Sequence, residues 1–307
     1  MAGTFYPDHP AELTRVVDGL LAQAQCKLEP ERDLKALVSP HATFAHSGRV
    51  AAEAFACLRN RKISTVVLVG PDHYIGFEGI ALYPAGAYRT PLGEVWVDEE
   101  LSSLFLEAGP GVRAAPEAHR REHALEMQLP FLQRIQPRAR IVPVLMGFRS
   151  RSNVEILANI LSRALDNPEV LLVATTDLSH YHPRAVAHRL DGRITELVRA
   201  FAPTSLWDEL RNGRAEACGG DGLVSVMLGA GIAGAEASTI LRYGDSGDDD
   251  GSSQSVVGYL AAAFYRGIPP RDVRFRAYAQ ELLPQEHIPQ ELIPQEHLPP
   301  QTASLTS

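Results

Sequence analysis

Residues 34–49 of the chain have the sequence LKALVSPHATFAHSGR. The first part is short, apolar and followed by a proline, which predicts a buried β-strand that ends at Ser39 or Pro40. His41 comes next, and after a turn of small residues a helical pattern is predicted near Gly48–Leu58. The stretch therefore predicts an α/β unit with a histidine at the carboxyl end of its strand, where open α/β sheets bind their ligands.

The same order of a strand followed by a helix recurs along the chain. This alternation predicts a mostly parallel or mixed central sheet with helices on both faces, a three-layer α/β sandwich. The proline in the helical pattern HALEMQLPFLQRI predicts a kink at Pro130. The patterns assigned to strands are ISTVVLVGP, GIALYP, GEVWVD, ARIVPVLMG, VLLVATTD, ASTILRYGD and SVVGYLAAAFY, and those assigned to helices are DEELSSLFLEAG, NVEILANILSRAL and residues 184–211 and 219–232.

The chain divides into two parts by composition. Residues 1–266 show no break in composition and are predicted to form one α/β domain. Residues 267–307 repeat Pro-Gln-Glu three times within LLPQEHIPQELIPQEHLPPQ. Proline at this density opposes helix formation and little apolar surface is available for burial, which predicts a largely disordered tail rich in Pro, Gln and Glu.

Composition limits the classes of function. The 307 residues are 45% hydrophobic, enough for a large core, and the formal net charge of −8 disfavours a general surface for nucleic acid or anionic membranes. The longest weakly polar run, GLVSVMLGAGIAGA, is too short to span a membrane, and the start MAGTFYPDHP lacks the features of a signal peptide. Three cysteines are too few for a disulfide framework, which favours a reducing, cytoplasmic location.

Three predicted buried strands each lead to a histidine. His41 follows the first strand, His73 follows the second with Asp72 before it, and the strand VLLVATTD runs into Asp177 and His180. Since the carboxyl ends of parallel strands meet at one edge of a sheet, these side chains are expected to converge. Each histidine taken alone also fits a hydrogen-bonded core or loop residue, whereas three together favour a transition-metal site.

The stretch HRREHALE supplies a fourth cluster with His119, Glu122, His123 and Glu126. HRREH matches the H-x-x-E-H pattern of inverted zinc peptidases, in which two helical histidines bind zinc and the glutamate acts as base. A plain helix start, with Glu122 at the positive end of the helix dipole, explains the same residues. A third interpretation places His123 or Glu126 beside the main site.

Of the three cysteines, Cys218 has the most reactive predicted environment. It precedes a Gly-Gly pair and a predicted helix, and a helix N-terminus lowers the pKa of a thiol. Cys57 lies in an apolar helical pattern and is predicted to be a core residue, while Cys26 ends an N-terminal helix. The chain has neither a phosphate-binding glycine loop nor a G-x-S-x-G elbow, which disfavours nucleotide-dependent enzymes and serine hydrolases.

Eight motifs in a fixed order make the chain similar to the Memo family, whose bacterial and archaeal members are called AmmeMemoRadiSam system protein B. The resemblance covers about residues 2–266 and leaves the Pro-Gln-Glu tail outside. The motifs are AGTFYP, PHATFAHSG, GPDHY, TPLGEVWVD, EHALEMQLPFL, TTDLSHYH, ACGG and SVVGYLAAAFY.

The resemblance implies a fold like that of the class III extradiol, non-haem iron dioxygenases. It also implies a pocket in which two histidines and a cysteine bind copper or iron. The matching ligands here are His41, His73 and Cys218, the matching flanking residues are Asp177 and His180, and His123 is expected to line the pocket.

The resemblance also shows where this chain departs from the family. Ala-Gly-Tyr is common after the first histidine, whereas this chain has Ala42, Thr43 and Phe44, which removes a phenol expected in the pocket. Asp72 stands where serine is common, and two roles are open for it: it orients His73, or it is only an acidic residue of the loop. A thiolate in place of the dioxygenase carboxylate is a softer ligand and shifts the preference toward Cu(I), zinc or thiolate-bound iron.

Three functions follow as expectations. The first is a copper- or iron-dependent redox or oxygenase-like enzyme, with His180 as acid/base and Asp177 orienting it. The second is a non-catalytic module that binds a metal, a small molecule or a peptide, and the third is a metal-dependent hydrolase. The group name implies a pathway association with an AMMECR-like protein and a radical SAM protein.

Overall fold

The computed structural model of the chain describes residues 1–109, 111–251 and 253–267. The predicted tail from residue 268 onward lies outside the described residues, so the division at residue 266 stays a prediction. The helices are α1 Pro10–Gln23, α2 Phe44–Ala56, α3 Glu99–Glu107, α4 Pro116–His119, α5 Leu129–Ile135, α6 Arg151–Ala164, α7 Arg184–Arg199, α8 Pro203–Arg211, α9 Gly220–Ile232 and α10 Gly247–Asp250, with a 3₁₀ turn at Glu126–Gln128.

Nine strands form the main sheet of the described residues, and two form a separate hairpin. The order across the main sheet is β10-β11-β1-β8-β2-β7-β3-β6, with β9 paired to β11. The strands are β1 Leu34–Ser39, β2 Thr65–Pro71, β3 Ile80–Leu82, β4 Ala87–Thr90, β5 Gly93–Trp96, β6 Val112–Ala114, β7 Arg140–Met146, β8 Val170–Thr175, β9 Asp177–His182, β10 Ala237–Asp245 and β11 Val256–Tyr265.

The centre of the sheet is parallel, and strands on both sides of it are antiparallel. Strands β1, β8, β2 and β7 run parallel, whereas β11 is antiparallel to β1 and β3 is antiparallel to β7. The predicted closing pair is present as β10 and β11. The expected three-layer α/β sandwich with a mixed central sheet is confirmed.

Two hydrophobic cores lie on opposite faces of the sheet. Along β2, Val67 and Val69 belong to the core beneath α6 and α9, while Val66 and Leu68 belong to the core beneath α1, α2 and α5. Side chains alternate between the two faces of a strand, so a strand covered on both sides is apolar at every position. This burial explains why the central strands have continuous apolar sequences rather than alternating ones.

Several local boundaries differ from the sequence predictions. Helix α2 begins at Phe44, four residues before the predicted start at Gly48, so the turn after His41 is tight. Pro130 lies in the first turn of α5 and starts that helix instead of kinking a longer one, because its missing N–H has no partner to lose there. His180 lies inside a separate strand, β9, and not directly at the carboxyl end of β8.

A disulfide joins Cys26, just after α1, to Cys57 at the end of α2. This bond is not expected from the sequence, because three cysteines are too few for a disulfide framework. Cys57 is buried, as predicted, and Cys218 is the free cysteine.

Within the described part of the chain, no helix combines the length and the apolar character that crossing a bilayer requires.

Candidate metal centre

The candidate site lies at the carboxyl edge of the parallel strands. His41 follows β1 by two residues and His73 follows β2 by two residues. Cys218 lies in the loop before α9, and its N–H donates to the backbone oxygen of Asp177 at 3.2 Å. Oδ1 of Asp177 accepts the backbone N–H of His41 at 2.9 Å, which ties the loop after β1 to the start of β9.

His41, His73 and Cys218 offer three ligand atoms that all lie within 4.8 Å of one another. Nε2 of His41 is 3.2 Å from Sγ of Cys218, and the rings of the two histidines have centroids 5.2 Å apart. Two ligands that each bind one ion at ~2.0–2.3 Å are separated by ~3–4 Å, so the donor set and the 3.2 Å between His41 and Cys218 fit a transition-metal ion. Nitrogen and sulfur donors of this kind suit copper, zinc and iron.

Glu122 is the carboxylate beside His73. Its Oε1 lies 2.9 Å from Nδ1 of His73, and its Oε2 accepts the backbone N–H of His73 at 2.8 Å. The expectation that Asp72 orients His73 is wrong. Asp72 accepts backbone N–H groups of the next loop, from Tyr74 and Ile75 among others, and so holds the turn after β2.

His41 is almost completely buried and has a hydroxyl partner. Its Nδ1 lies 2.9 Å from Oγ1 of Thr175, the last residue of β8. Burial, with the nearby His73 and His123, lowers the pKa of His41 well below its usual value. The imidazole is therefore neutral at ordinary pH, which is the form that binds a metal ion.

The environment of Cys218 has the opposite effect on the thiol from the one predicted. Burial, with the charge of Asp177 as a smaller cause, raises the pKa of Cys218 to about 12. The expectation that the α9 N-terminus lowers the pKa of this thiol is wrong. Removing a thiolate from water destabilises it by more than the helix N-terminus stabilises it. A metal ion that binds here displaces the thiol proton.

A cavity of about 640 Å³ opens above His41 and His73 of this cluster. It gives a ligand access to His41 and His73 from solvent, and Tyr74 and Tyr181 stand exposed at its mouth. Tyr181 has a φ of +61°, a strained conformation for a residue other than glycine. The lining residues are Phe5, His41, Ala42, Thr43, His46, His73, Tyr74, His123, Asp177, His180, Tyr181, Ser246, Ser255, Val257 and Tyr259.

The predicted flanking residues Asp177, His180 and His123 all line this cavity. His180 donates from Nδ1 to the backbone oxygen of Leu178 at 2.8 Å, so its Nδ1 carries a proton. Among the described residues no hydrogen bond joins Asp177 to His180, and the carboxylate instead anchors the backbone of His41.

His123 stacks on His73 with ring centroids 4.8 Å apart. Its Nδ1 lies 3.3 Å from the hydroxyl of Tyr74, and burial lowers its pKa. His73, Glu122 and His123 form a second group whose ligand atoms lie within 4.8 Å of one another. His123 is therefore positioned to contact whatever occupies the cavity next to His73.

The arrangement of an inverted zinc peptidase does not form. His119 ends the short helix α4 and is buried, with Nδ1 2.8 Å from the hydroxyl of Tyr88 and Nε2 3.3 Å from the backbone oxygen of Ala81. His123 lies in the following loop and not one helical turn away. Both ring nitrogens of His119 are therefore hydrogen-bonded to groups in the core.

The expectation that the phenol missing at Phe44 is lost from the pocket is wrong. The ring of Phe44 packs on Tyr6 and Phe131, with centroids 5.4 and 4.9 Å away, and it is absent from the cavity lining. The missing phenol at this position therefore changes the core and not the cavity, whereas Thr43 lines the cavity.

Two residues around the site were not predicted from the sequence, and a third has a different role from the predicted one. Thr175 and Gln128 form a hydrogen-bonded pair behind His41, and Glu122 is the partner of His73. Thr175 could have been found from the sequence, because it ends a buried strand in the same way that Ser39 ends the strand before His41. Gln128 carries no such signal, since it becomes a neighbour of Thr175 only through the fold.

Comparisons with known proteins give similarity along almost all of the described chain. The family described as Memo-like protein matches residues 1–263. A MEMO1 family protein of Methanothermobacter thermautotrophicus is 31% identical over 270 residues, which covers 84% of this chain and 96% of that protein. Similar proteins from Methanosarcina barkeri and Thermotoga petrophila are 32% identical over 266 residues (85% and 97% covered) and 33% identical over 275 residues (86% and 98%).

Proposed function

Because the chain belongs to the family of Memo-like proteins, we propose that it binds one copper or iron ion through His41, His73 and Cys218 and uses it in redox or oxygenase-like chemistry. The observation that carries the proposal is the convergence of these three donors, two of which, His41 and His73, line an open cavity. Three protein ligands leave coordination positions for a substrate, which is typical of catalytic rather than structural metal sites.

The bound ion would supply one-electron chemistry and would polarise a substrate atom that it contacts. The surrounding residues transfer protons and position the ligands. His180 lines the cavity and donates Nδ1–H to a backbone oxygen, which leaves Nε2 as the ring nitrogen that would accept or return a substrate proton. Asp177 fixes the loop that carries His41, and His123 supplies a neutral ring nitrogen next to His73.

A binding module without turnover is the second candidate. The exposed phenols of Tyr74 and Tyr181 at the mouth of a 640 Å³ cavity favour it, because exposed aromatic side chains are typical anchors for small molecules and peptides. A hydrolase that uses metal-bound water needs the same three ligands and differs by having a redox-inert ion.

The proposal is tested by measuring metal content after expression without a polyhistidine tag. We expect one equivalent of copper or iron in the wild type. We expect its loss in His41→Ala, His73→Ala and Cys218→Ser, because two remaining ligands bind far more weakly. His46→Ala is the matched control, since His46 lines the same cavity but is not part of the cluster.

The results separate the candidates. A metal that is reduced by ascorbate and reoxidised by air supports the redox function. A stoichiometric but redox-inert zinc ion would favour the hydrolase or the binding module. Equal metal content in the wild type and all three variants would overturn the site itself, and loss in His46→Ala as well would indicate a folding effect.

A further inference from the structure

The two histidines of the proposed site each have one ring nitrogen occupied by a different buried partner. Nδ1 of His73 lies 2.9 Å from Oε1 of Glu122, and Nδ1 of His41 lies 2.9 Å from Oγ1 of Thr175. A neutral imidazole carries a proton on one nitrogen and a lone pair on the other. The partner of Nδ1 therefore decides whether Nε2 is free to bind a metal ion.

Glu122 acts only as an acceptor. Its side chain is 1% exposed, its Oε2 accepts the backbone N–H of His73 at 2.8 Å, and its Oε1 accepts that of Ala124 at 2.9 Å. Backbone N–H groups only donate, so they require both carboxylate oxygens to accept. The ring proton of His73 therefore lies on Nδ1, and Nε2 keeps its lone pair.

Thr175 is an ambiguous partner, because a hydroxyl both donates and accepts. Gln128 removes part of the ambiguity. Its buried amide nitrogen lies 2.9 Å from the backbone oxygen of Pro40 and 3.3 Å from that of Ala124, and both oxygens only accept. They fix the amide nitrogen on the side of Thr175, 2.9 Å from its Oγ1. The amide oxygen has no hydrogen-bond partner in the described structure, so these carbonyl groups set the orientation.

The hydroxyl hydrogen of Thr175 has two acceptors within reach, Nδ1 of His41 at 2.9 Å and the backbone oxygen of Ala124 at 3.5 Å. When Nε2 of His41 binds the metal ion, Nδ1 carries the ring proton and donates to Oγ1, and the hydroxyl hydrogen goes to Ala124. The proposed site thus requires His41 and His73 to carry the same tautomer, with both Nε2 atoms unprotonated.

We propose that the segment Glu122–Gln128, EHALEMQ, positions both histidines by fixing their tautomers. Glu122 acts on His73 directly, and Gln128 acts on His41 through Thr175. The inference rests on the proposed metal site and adds to it a single segment that prepares both nitrogen ligands before the metal arrives. The partner of His73 is a carboxylate and that of His41 is a neutral hydroxyl, so Glu122 has the larger effect.

The first test is a nitrogen NMR measurement on the metal-free protein with labelled histidine. We expect His41 and His73 in the wild type to carry the proton on Nδ1. Glu122→Gln is expected to change the tautomer population of His73 and leave that of His41 unaltered. Thr175→Val is expected to change His41 alone, while Thr175→Ser, which keeps the hydroxyl, restores it.

The second test measures the dissociation constant for Zn²⁺ alone. We expect Glu122→Gln and Thr175→Val to weaken binding by about 10- to 100-fold, because partners of metal ligands have effects of this size. Thr175→Ser is expected to bind within about threefold of the wild type. Glu126→Gln is the matched control, since Glu126 lies in the same segment but accepts the hydroxyl of Tyr6.

The outcomes distinguish this inference from the proposed function. A wild type that binds no metal overturns the metal site. Tight wild-type binding with Nε2-protonated histidines, or with unchanged dissociation constants in both Glu122→Gln and Thr175→Val, overturns the positioning role alone. Because Glu122→Gln can disturb folding, the Thr175→Val and Thr175→Ser pair gives an independent answer.

Discussion

His119 shows how burial changes a single residue that the sequence presented as a metal ligand. Its ring lies between the hydroxyl of Tyr88 and the backbone of Ala81, and burial lowers its pKa from 6.5 to about 4. The nearby charges of Glu122 and Glu117 oppose this shift without reversing it. The same side chain that matched a zinc-peptidase pattern is therefore a neutral core residue.

This shift predicts a pH-dependent stability. The folded chain binds fewer protons at His119 than the unfolded chain, so its contribution is complete above pH 6.5 and is lost as pH falls toward about 4. Between about pH 7.5 and about pH 4.5 the loss amounts to about 2–3 kcal/mol. Urea unfolding at the two pH values measures this loss. We expect the free energy of unfolding of His119→Gln to fall by about 2–3 kcal/mol less than that of the wild type over this range.

His9→Gln is the control for this experiment. His9 is exposed at the start of α1, and its variant is expected to follow the pH dependence of the wild type. If wild type and His119→Gln lost stability in parallel, His119 would not be the group responsible.

At the scale of elements, one carboxylate joins a helix to the sheet near the cavity. Asp191 in α7 is fully buried, accepts the backbone N–H of Ser179 in β9 at 3.0 Å and accepts the hydroxyl of Tyr243 in β10 at 2.8 Å. Gly258 in β11 leaves room for it, since a Cβ there would lie 1.9 Å from Oδ2 of Asp191. This contact holds β9, which carries His180, against α7.

We predict that Gly258→Ala destabilises the protein by at least about 2 kcal/mol, because the new methyl group displaces a buried hydrogen-bonded carboxylate. Gly192→Ala is the matched control in α7. Nothing lies within 4 Å of a Cβ at Gly192, and alanine in a helix is favoured over glycine by up to about 1 kcal/mol. Urea unfolding measures both variants, and equal stabilities would contradict the proposed role of this contact.

At the scale of the whole molecule, the N-terminal helix is attached to the sandwich by a covalent bond. Helix α1 packs on α2 and α5 over one face of the sheet, and the Cys26–Cys57 disulfide closes a loop with a sequence separation of 31. A cross-link of this length restricts the unfolded chain and stabilises the folded one by about 3–4 kcal/mol in the chain-entropy account. The bond therefore affects the stability of the entire α/β unit.

We predict that a reductant lowers the free energy of unfolding of the wild type by about 3 kcal/mol. The double variant Cys26→Ser and Cys57→Ser is expected to match the reduced wild type and to show no response to the reductant. Urea unfolding with and without reductant is the measurement. A wild type with the same stability in both conditions would show that the two cysteines are not joined in solution.

The sequence by itself determined the elements and the position of two histidines. Continuous apolar runs predict β1, β2, β7 and β8, because strands covered on both faces need apolar residues at every position. His41 and His73 follow two of these runs directly, so their place at the carboxyl edge follows from local pattern and sheet geometry.

Only the tertiary structure decided which groups surround those histidines. Glu122 reaches His73 across 49 residues and Cys218 reaches His41 across 177, whereas the nearer Asp72 serves its own loop. The raised thiol pKa likewise depends on burial by distant elements. Local sequence encodes hydrophobic period and turn chemistry, but hydrogen-bond partners and desolvation are set by which segments the sheet brings together.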